Sequence, residues 1–270
     1  MNSRSLLAAP ATWRKPPMIG RRWLRVSLIL GSLLYLTLAL ASLEVNWARV
    51  AEGLGRGWAF VAAFLQPDFT SRGGDILEGF KESLTMTVTS TALGVALSIP
   101  FALGAARNLA PQWIYLFCRG VIAVSRTLNE IIVAILLVAM FGFGPFAGFL
   151  TLTFATIGFL AKLLAEDIEE IQESQLEAMR ATGASTAQVL DFAVLTQVLP
   201  RLVGLSLYRL DINFRESSVI GIVGAGGIGA TLNTAMDRYE YDSAAAILLV
   251  IIAIVIAAEY GSGWIRKRIL

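Results

Sequence analysis

The chain has 270 residues, of which 56% are hydrophobic and 16% charged, well below the about 25% charged residues of soluble domains; a soluble globular protein is excluded and an all-α integral membrane protein is expected. The complete lack of histidine removes the usual metal ligand and the usual general base. A single cysteine, Cys118 in an apolar stretch, excludes an intrachain disulfide and reads as a small packing residue, while the net charge of +2 separates no classes of partner.

Spans follow from uncharged runs long enough to cross about 30 Å of hydrocarbon, about 20 residues. Residues 1–25 form a basic segment with Arg4, Arg14, Lys15, Arg21, Arg22 and Arg25. The run 26–43 is the first span and, with no evident small-residue cleavage site, reads as an anchor rather than a signal peptide. Residues 44–80 are the longest outer connection. There Trp47, Val50, Leu54, Trp58, Val61 and Leu65 recur at spacings of three and four, which predicts an amphipathic helix, either on the outer membrane–water interface or packed on the bundle. Pro67-Asp68 and Arg72-Gly73-Gly74-Asp75 then predict a loop.

The remaining core, 81–270, supplies five more spans. The run 83–106 contains Pro100. The apolar stretch 131–161 is too long for one helix and is broken at Gly142-Phe143-Gly144-Pro145. Its first half must reach back through Glu130, Arg126 and Arg119 to cross, and its second runs over 145–164. The last two spans are 202–223 and 244–264. Six helices place both termini on one side. With Arg107, Lys162, Arg180, Arg201, Arg266, Lys267 and Arg268 added to the six of the N-terminal segment, that side collects thirteen basic residues; the other holds four, Arg49, Arg56, Arg72 and Arg238. The excess marks the cytoplasmic face.

Between the fourth and fifth of these spans, residues 166–200 form a cytoplasmic loop with helical signals. Ser174 and Glu177 have the spacing of a capping box, so a helix is expected near Gln175. Gly183 ends it by taking the left-handed geometry of a helix C-terminus, and Ser185 with Gln188 opens a second helix. The preceding acids Glu166, Asp167, Glu169, Glu170 and Glu173 read as a solvated face or as a contact surface for a basic partner. A defined helix–turn–helix outside the bilayer invites a partner.

Charges inside the hydrocarbon are costly unless paired or wet, which singles out two clusters. One is Arg119, Arg126, Asn129 and Glu130. The other is Arg209, Asp211, Asn213, Arg215 and Glu216, with Ser217 and Ser218. Asp211 and Arg215 can pair along one helix face. Two readings stay open: ion pairs between helices, or side chains lining a hydrophilic path. For the path the candidates are Arg126, Asn129, Arg215 and Ser218, and an excess of arginine suits an anionic substrate. Gly224, Gly226 and Gly229 spell a formal G-x-G-x-x-G, but no strand–turn–helix unit surrounds them, so a nucleotide site is rejected. These glycines instead allow close helix approach.

Residues 177–200, EAMRATGASTAQVLDFAVLTQVLP, resemble the EAA loop of ABC-importer permeases. Glu177, Ala178 and Gly183 hold the family spacing, Met179 replaces the second alanine, and Thr196 stands where a proline is expected. RESSVIGIVGAGGIGATL at 215–232, LYRLDIN at 207–213 and RTLNEIIVAILLVAMFGFGPFAGFLTL at 126–152 resemble permeases of phosphonate importers, whose usual proline before the glutamate is replaced by Asn129. The resemblance implies a five-helix type I ABC-importer core with an added N-terminal helix. It implies a second copy of the chain, two cytoplasmic ATPases that bind ATP and magnesium, and an extracytoplasmic substrate-binding protein. This places the chain in a prokaryotic inner membrane, with Glu177, Ala178 and Gly183 docking the ATPase. No cofactor in this chain and no nucleic acid are implied, and without a Walker lysine motif the chain is not the ATPase. Rival readings are a permease for phosphate, phosphite or methionine, and an ion-driven secondary transporter. No internal repeat supports the latter, and no convergent nucleophile, base or metal set supports an intramembrane enzyme.

Overall fold

The computed structural model describes residues 19, 21–43, 45–63 and 65–269. Most of segment 1–25, with Arg4, Arg14 and Lys15, and the side chains of Arg266 and Lys267 lie outside the described residues. Every regular element among the described residues is helical. The chain divides into two units, 1–59 and 60–270. The first holds α1 (Arg22–Ala41), a span-length helix with no buried residue. The expected amphipathic helix is present as α2 (Trp47–Ala63), which crosses the division and exposes Trp47, Leu54 and Trp58.

The second unit runs α3 (Gly73–Ala105), α4 (Gln112–Thr127), α5 (Glu130–Phe141), α6 (Pro145–Glu169), α7 (Glu173–Ala181) and α8 (Thr186–Val189). A π-helical turn, Leu190–Leu195, then leads into α9 (Thr196–Ile222), α10 (Ile228–Asp237) and α11 (Tyr241–Ile269). Its centre is α3, α6 and α9, which pack on one another. Lipid tails are as apolar as leucine, so helices in a bilayer associate through small residues and hydrogen bonds. That is what the centre shows. Thr87, Ser90, Ser98, Thr151, Thr156 and Asn213 are buried there. Asn213 Nδ2 donates to Thr91 Oγ1 at 2.8 Å and to Thr156 Oγ1 at 3.0 Å, tying the three helices together. At the turn from α9 to α10 the glycines at 224, 226 and 227 all have positive φ. Glu82 and Ser83 of α3 accept from the N–H groups of Gly227 and Ile228, capping the start of α10.

Among the described residues, five helices are long and apolar enough to span, six if α4 and α5 count as one bent span. The break at Gly142–Pro145 and the position of Pro100 inside α3 follow the sequence. Four features differ from it. The third span is not one helix reaching back from Ile131: α4 and α5 meet at 95°, because Leu128 and Asn129 are both extended. α3 starts at Gly73, ten residues before the expected 83, so Gly73–Asp75 of the expected loop are already helix, while Pro67 to Arg72 is the turn the sequence predicts. The chain also folds the short α10 between the last two spans, and α8 does not stand alone. It continues through the π turn into α9, with Pro200 inside the helix. Proline is tolerated there because neighbouring turns and side chains take up the freed groups.

Candidate functional site

Two places in the second unit carry chemistry, and one run of helix joins them. The first is the loop after α6. Its acidic approach is largely committed to internal pairs. Glu166 lies 3.5 Å from Lys162 and Asp167 lies 2.8 Å from Arg201. Glu169 accepts from the Arg107 backbone N–H at 2.8 Å and from Arg119 Nη2 at 3.0 Å. Of the five acids only Glu170 and Glu173 are exposed; Glu166 pairs within α6, while Asp167 and Glu169 fasten α6 to its neighbours.

The Ser174–Glu177 capping box does not form. α7 begins two residues earlier, with Gln172 as N-cap and no side-chain cap, and the Gln172 N–H is taken instead by Gln197 Oε1 at 3.1 Å. The Ser185–Gln188 box forms in full. Gly183 has φ +77° and nothing within 4 Å of where a Cβ would sit; its N–H donates to Arg180 O at 3.0 Å and ends α7. Leu176, Val189 and Ala193 make a small core under this hairpin. That leaves Glu177 and Ala178 exposed, facing away from the buried Leu176. The π turn that follows is held by side chains. Thr196 Oγ1 donates to Phe192 O at 2.9 Å, and Gln197 Nε2 to Ala193 O at 2.8 Å.

The second place is a cavity of about 290 Å³ at the α4–α5 bend, lined by Ser125, Arg126, Asn129 and Glu130 on one side and by Phe159 and Arg209 on the other. Its volume is at the small end of ligand sites. Asn129 is the N-cap of α5: its Oδ1 accepts from the Ile131 N–H at 2.9 Å, leaving its amide NH₂ for the cavity. Glu130 stands in the first turn of α5, where the helix N-terminus favours a carboxylate. Arg209 is 3% exposed. Its Nε donates to Thr156 Oγ1 at 3.2 Å and its guanidinium lies 5.5 Å over the Phe159 ring. Its Nη2 has no hydrogen-bond partner and stops 3.8 Å from Glu130 Oε1.

Of the four residues expected on a path, the structure brings Arg126 and Asn129 to this cavity. Arg215 and Ser218 are not among its lining residues. Arg215 pairs with Asp211 at 3.6 Å along α9, as its spacing predicts, and the backbone of Ser218 packs against Gly229 of α10. Arg209 and Glu130 belong to the sequence clusters but were outside the path candidates. The expected span 202–223 does not separate them, since Arg209 and Arg215 lie about equally far from its nearer ends; only the observed α9, Thr196–Ile222, places Arg209 at mid-helix, where an arginine needs a partner.

A family model described as the inner membrane component of binding-protein-dependent transport systems matches residues 98–270. This chain belongs to that family. A phosphite transport system permease of Stutzerimonas stutzeri is 42% identical over 188 residues, 69% of this chain and 68% of that protein. A phosphate-import permease of Mycolicibacterium smegmatis is 44% identical over 205 residues, 76% of this chain but 38% of the mycobacterial protein. Among solved structures, an inward-facing methionine ABC transporter covers 72% of this chain and 96% of its own at TM-score 0.61 and 23% identity. At that identity the likeness concerns the fold, which is that of type I ABC-importer permeases. The chain is thus a multi-pass membrane permease subunit.

Proposed function

We propose that this permease carries a phosphorus oxyanion, a phosphonate first and phosphite or phosphate as the close alternatives, into the cytoplasm by ATP-driven alternating access. The observation that carries the reading is continuity. The helical run that starts at the Ser185 cap, beside Gly183, extends to Ile222 and carries Arg209 into the cavity. A push on the hairpin is therefore a push on one wall of the cavity. Two arginines, Arg126 and Arg209, line that cavity, which suits an oxyanion. Phosphite and phosphate come forward because the relatives above are named for them.

In this reading two copies of the chain enclose the path, with Arg126, Asn129, Arg215 and Ser218 along it. Two cytoplasmic ATPases hold ATP and magnesium and dock on Glu177, Ala178 and Gly183, and an extracytoplasmic binding protein delivers the substrate. Both termini and the hairpin face the cytoplasm, on the distribution of basic residues. The test is labelled uptake in a strain lacking this gene, offered methylphosphonate, phosphite, phosphate or methionine in turn. Loss of a phosphorus oxyanion's uptake, restored by the wild type and not by Gly183→Glu, is expected. Uptake lost only for methionine would overturn the cargo, and full rescue by Gly183→Glu would overturn the docking site.

A further inference from the structure

Resting on that reading, we propose that the cavity at the α4–α5 bend selects for a singly protonated tetrahedral oxyanion, with Arg209 as the donor and Glu130 as the acceptor of the substrate's own hydroxyl proton. The two groups face each other without satisfying each other. At 3.8 Å, Arg209 Nη2 and Glu130 Oε1 are beyond hydrogen-bond length, and the buried Nη2 has no other partner. A pair built only for stability would close this gap, since a buried guanidinium N–H left unpaired is expensive. Both groups are nevertheless fixed. Thr156 and Phe159 hold the guanidinium, and the Asn129 cap with the first turn of α5 holds the carboxylate.

What completes such a site is a ligand with an acceptor oxygen for Nη2 and a hydroxyl for Oε1. Guanidinium carries only donors, and an ionised carboxylate only accepts. A phosphonate, phosphite or phosphate offers both functions near neutral pH, where such groups still hold a proton in part, as phosphate monoesters do with a second pKa of about 6. Sulfate carries no proton at that pH, so its oxygens meet Glu130 as acceptor against acceptor. Methionine has no tetrahedral oxyanion. A phosphodiester lipid headgroup carries no hydroxyl on its phosphorus and is rejected on the same ground. The surrounding charges set the balance. Arg126 lines the cavity, Glu216 lies within electrostatic reach of Glu130 and Arg209, and Arg215 is offset by Asp211. The region therefore holds no large excess of positive charge that would capture any anion, and the choice falls to hydrogen-bond complementarity.

The experiment uses the full chain in lipid nanodiscs, made with and without anionic phospholipid. Its thermal stabilisation is titrated with phosphite, methylphosphonate or sulfate at constant ionic strength and neutral pH. Saturable stabilisation by phosphite or methylphosphonate and none by sulfate is expected, unchanged by the lipid. Arg209→Lys should raise the half-saturating concentration at least tenfold. Glu130→Gln keeps the side-chain shape but offers a donor, so sulfate should bind it about as well as phosphite does. A merely structural Glu130 would lower the melting temperature without changing which anion binds. Equal stabilisation of the wild type by sulfate, no saturable effect of any anion, loss of phosphite binding to anionic lipid, or unaltered selectivity in Glu130→Gln would overturn the proposal. Uptake by the wild type is measured alongside. If it remains specific for a phosphorus oxyanion while the cavity fails these tests, the inference falls and the proposed function stands; if uptake is of another nutrient, both fall.

Discussion

Replacing Gly183 separates what the backbone needs from what a docked partner needs. Its φ of +77° lies in the left-handed region, and nothing stands within 4 Å of the point a Cβ would occupy. The local cost of alanine is therefore backbone strain alone, about 1–2 kcal/mol. Asparagine visits this region more readily and costs less. A change of 1–2 kcal/mol alters the closed-to-open ratio of the α7 terminus about 5- to 30-fold. The bonds that open are Gly183 N–H to Arg180 O and Thr182 N–H to Met179 O. The main core of α3, α6 and α9 is untouched, so the melting temperature of the full chain should hold. Amide hydrogen exchange over 173–189 should quicken in Gly183→Ala by that factor and less in Gly183→Asn. Retention of the ATPase on affinity purification should follow the order wild type, Asn, Ala, Glu, with the glutamate adding bulk and charge at the proposed interface. If Gly183→Asn exchanges like the wild type yet loses the ATPase as fully as Gly183→Glu does, the conformational reasoning is wrong and the partner's approach demands glycine.

Gly229→Ala would set a Cβ 2.0 Å from Ser218 O and 3.0 Å from Gly221 Cα, both backbone. It should cost more than the about 1–3 kcal/mol usual for overpacking, whereas Gly120→Ala, with open space around it, should be neutral or raise the melting temperature. Asn129→Ala removes the α5 cap and should cost about 1 kcal/mol. Asn129→Pro loses the same cap but suits the backbone, since φ is −70° and Leu128 is extended, so it should melt no lower than the alanine variant. Outside the membrane, hydrogen bonding to Arg72 holds the Glu240 carboxyl below its ordinary 4.5. A carboxylate depressed in the folded state adds stability that is present above its ordinary value and is lost as pH falls through the folded value. Glu240→Gln should therefore melt below the wild type at neutral pH, and the difference should vanish on acidification through and below pH 4.5; a pH-independent difference would contradict the assignment.

Legibility in the sequence tracks how local the determining interactions are. The break at Gly142–Pro145, the left-handed Gly183, the Ser185–Gln188 box and the Asp211–Arg215 pair each depend on residues within a turn or two, and each is present. The start of α7 departs from its capping pattern because its N-cap N–H is satisfied by Gln197, 25 residues away, which no such pattern contains. The bend at Leu128–Asn129 has no glycine to announce it; it is set by packing of Ser125 against Gly158 and Phe154 of α6 and by the polar cavity on its inner side. The cavity's decisive pair joins α5 to α9 across 79 positions of sequence, from Glu130 to Arg209. Cost arguments identify both as residues that need an explanation, but the fold is needed to show that they face each other.

The hairpin and the cavity lie at different heights on one helical run, so a variant between them should disturb transmission and leave both ends intact. From Thr186 to Arg209 the run extends about 35 Å at about 1.5 Å per residue. Its weak point is the π turn Leu190–Leu195, because an i→i+5 turn is rare and persists where side chains support it. Gln197 is that support: it accepts from the Gln172 N–H at the start of α7 and donates to Ala193 O within the turn. Gln197→Leu removes both bonds at nearly constant bulk. At about 1 kcal/mol per neutral bond, their loss costs about 2 kcal/mol and should weaken the coupling by up to about 30-fold. The expected phenotype is a transporter that still retains its ATPase and still binds the oxyanion, yet hydrolyses more ATP for each substrate moved. Such a result requires the hairpin to act on the cavity through the rod. If substrate moved per ATP is unchanged in Gln197→Leu, the hairpin and the cavity communicate by another route, and the π turn is only a local accommodation of the residues around it.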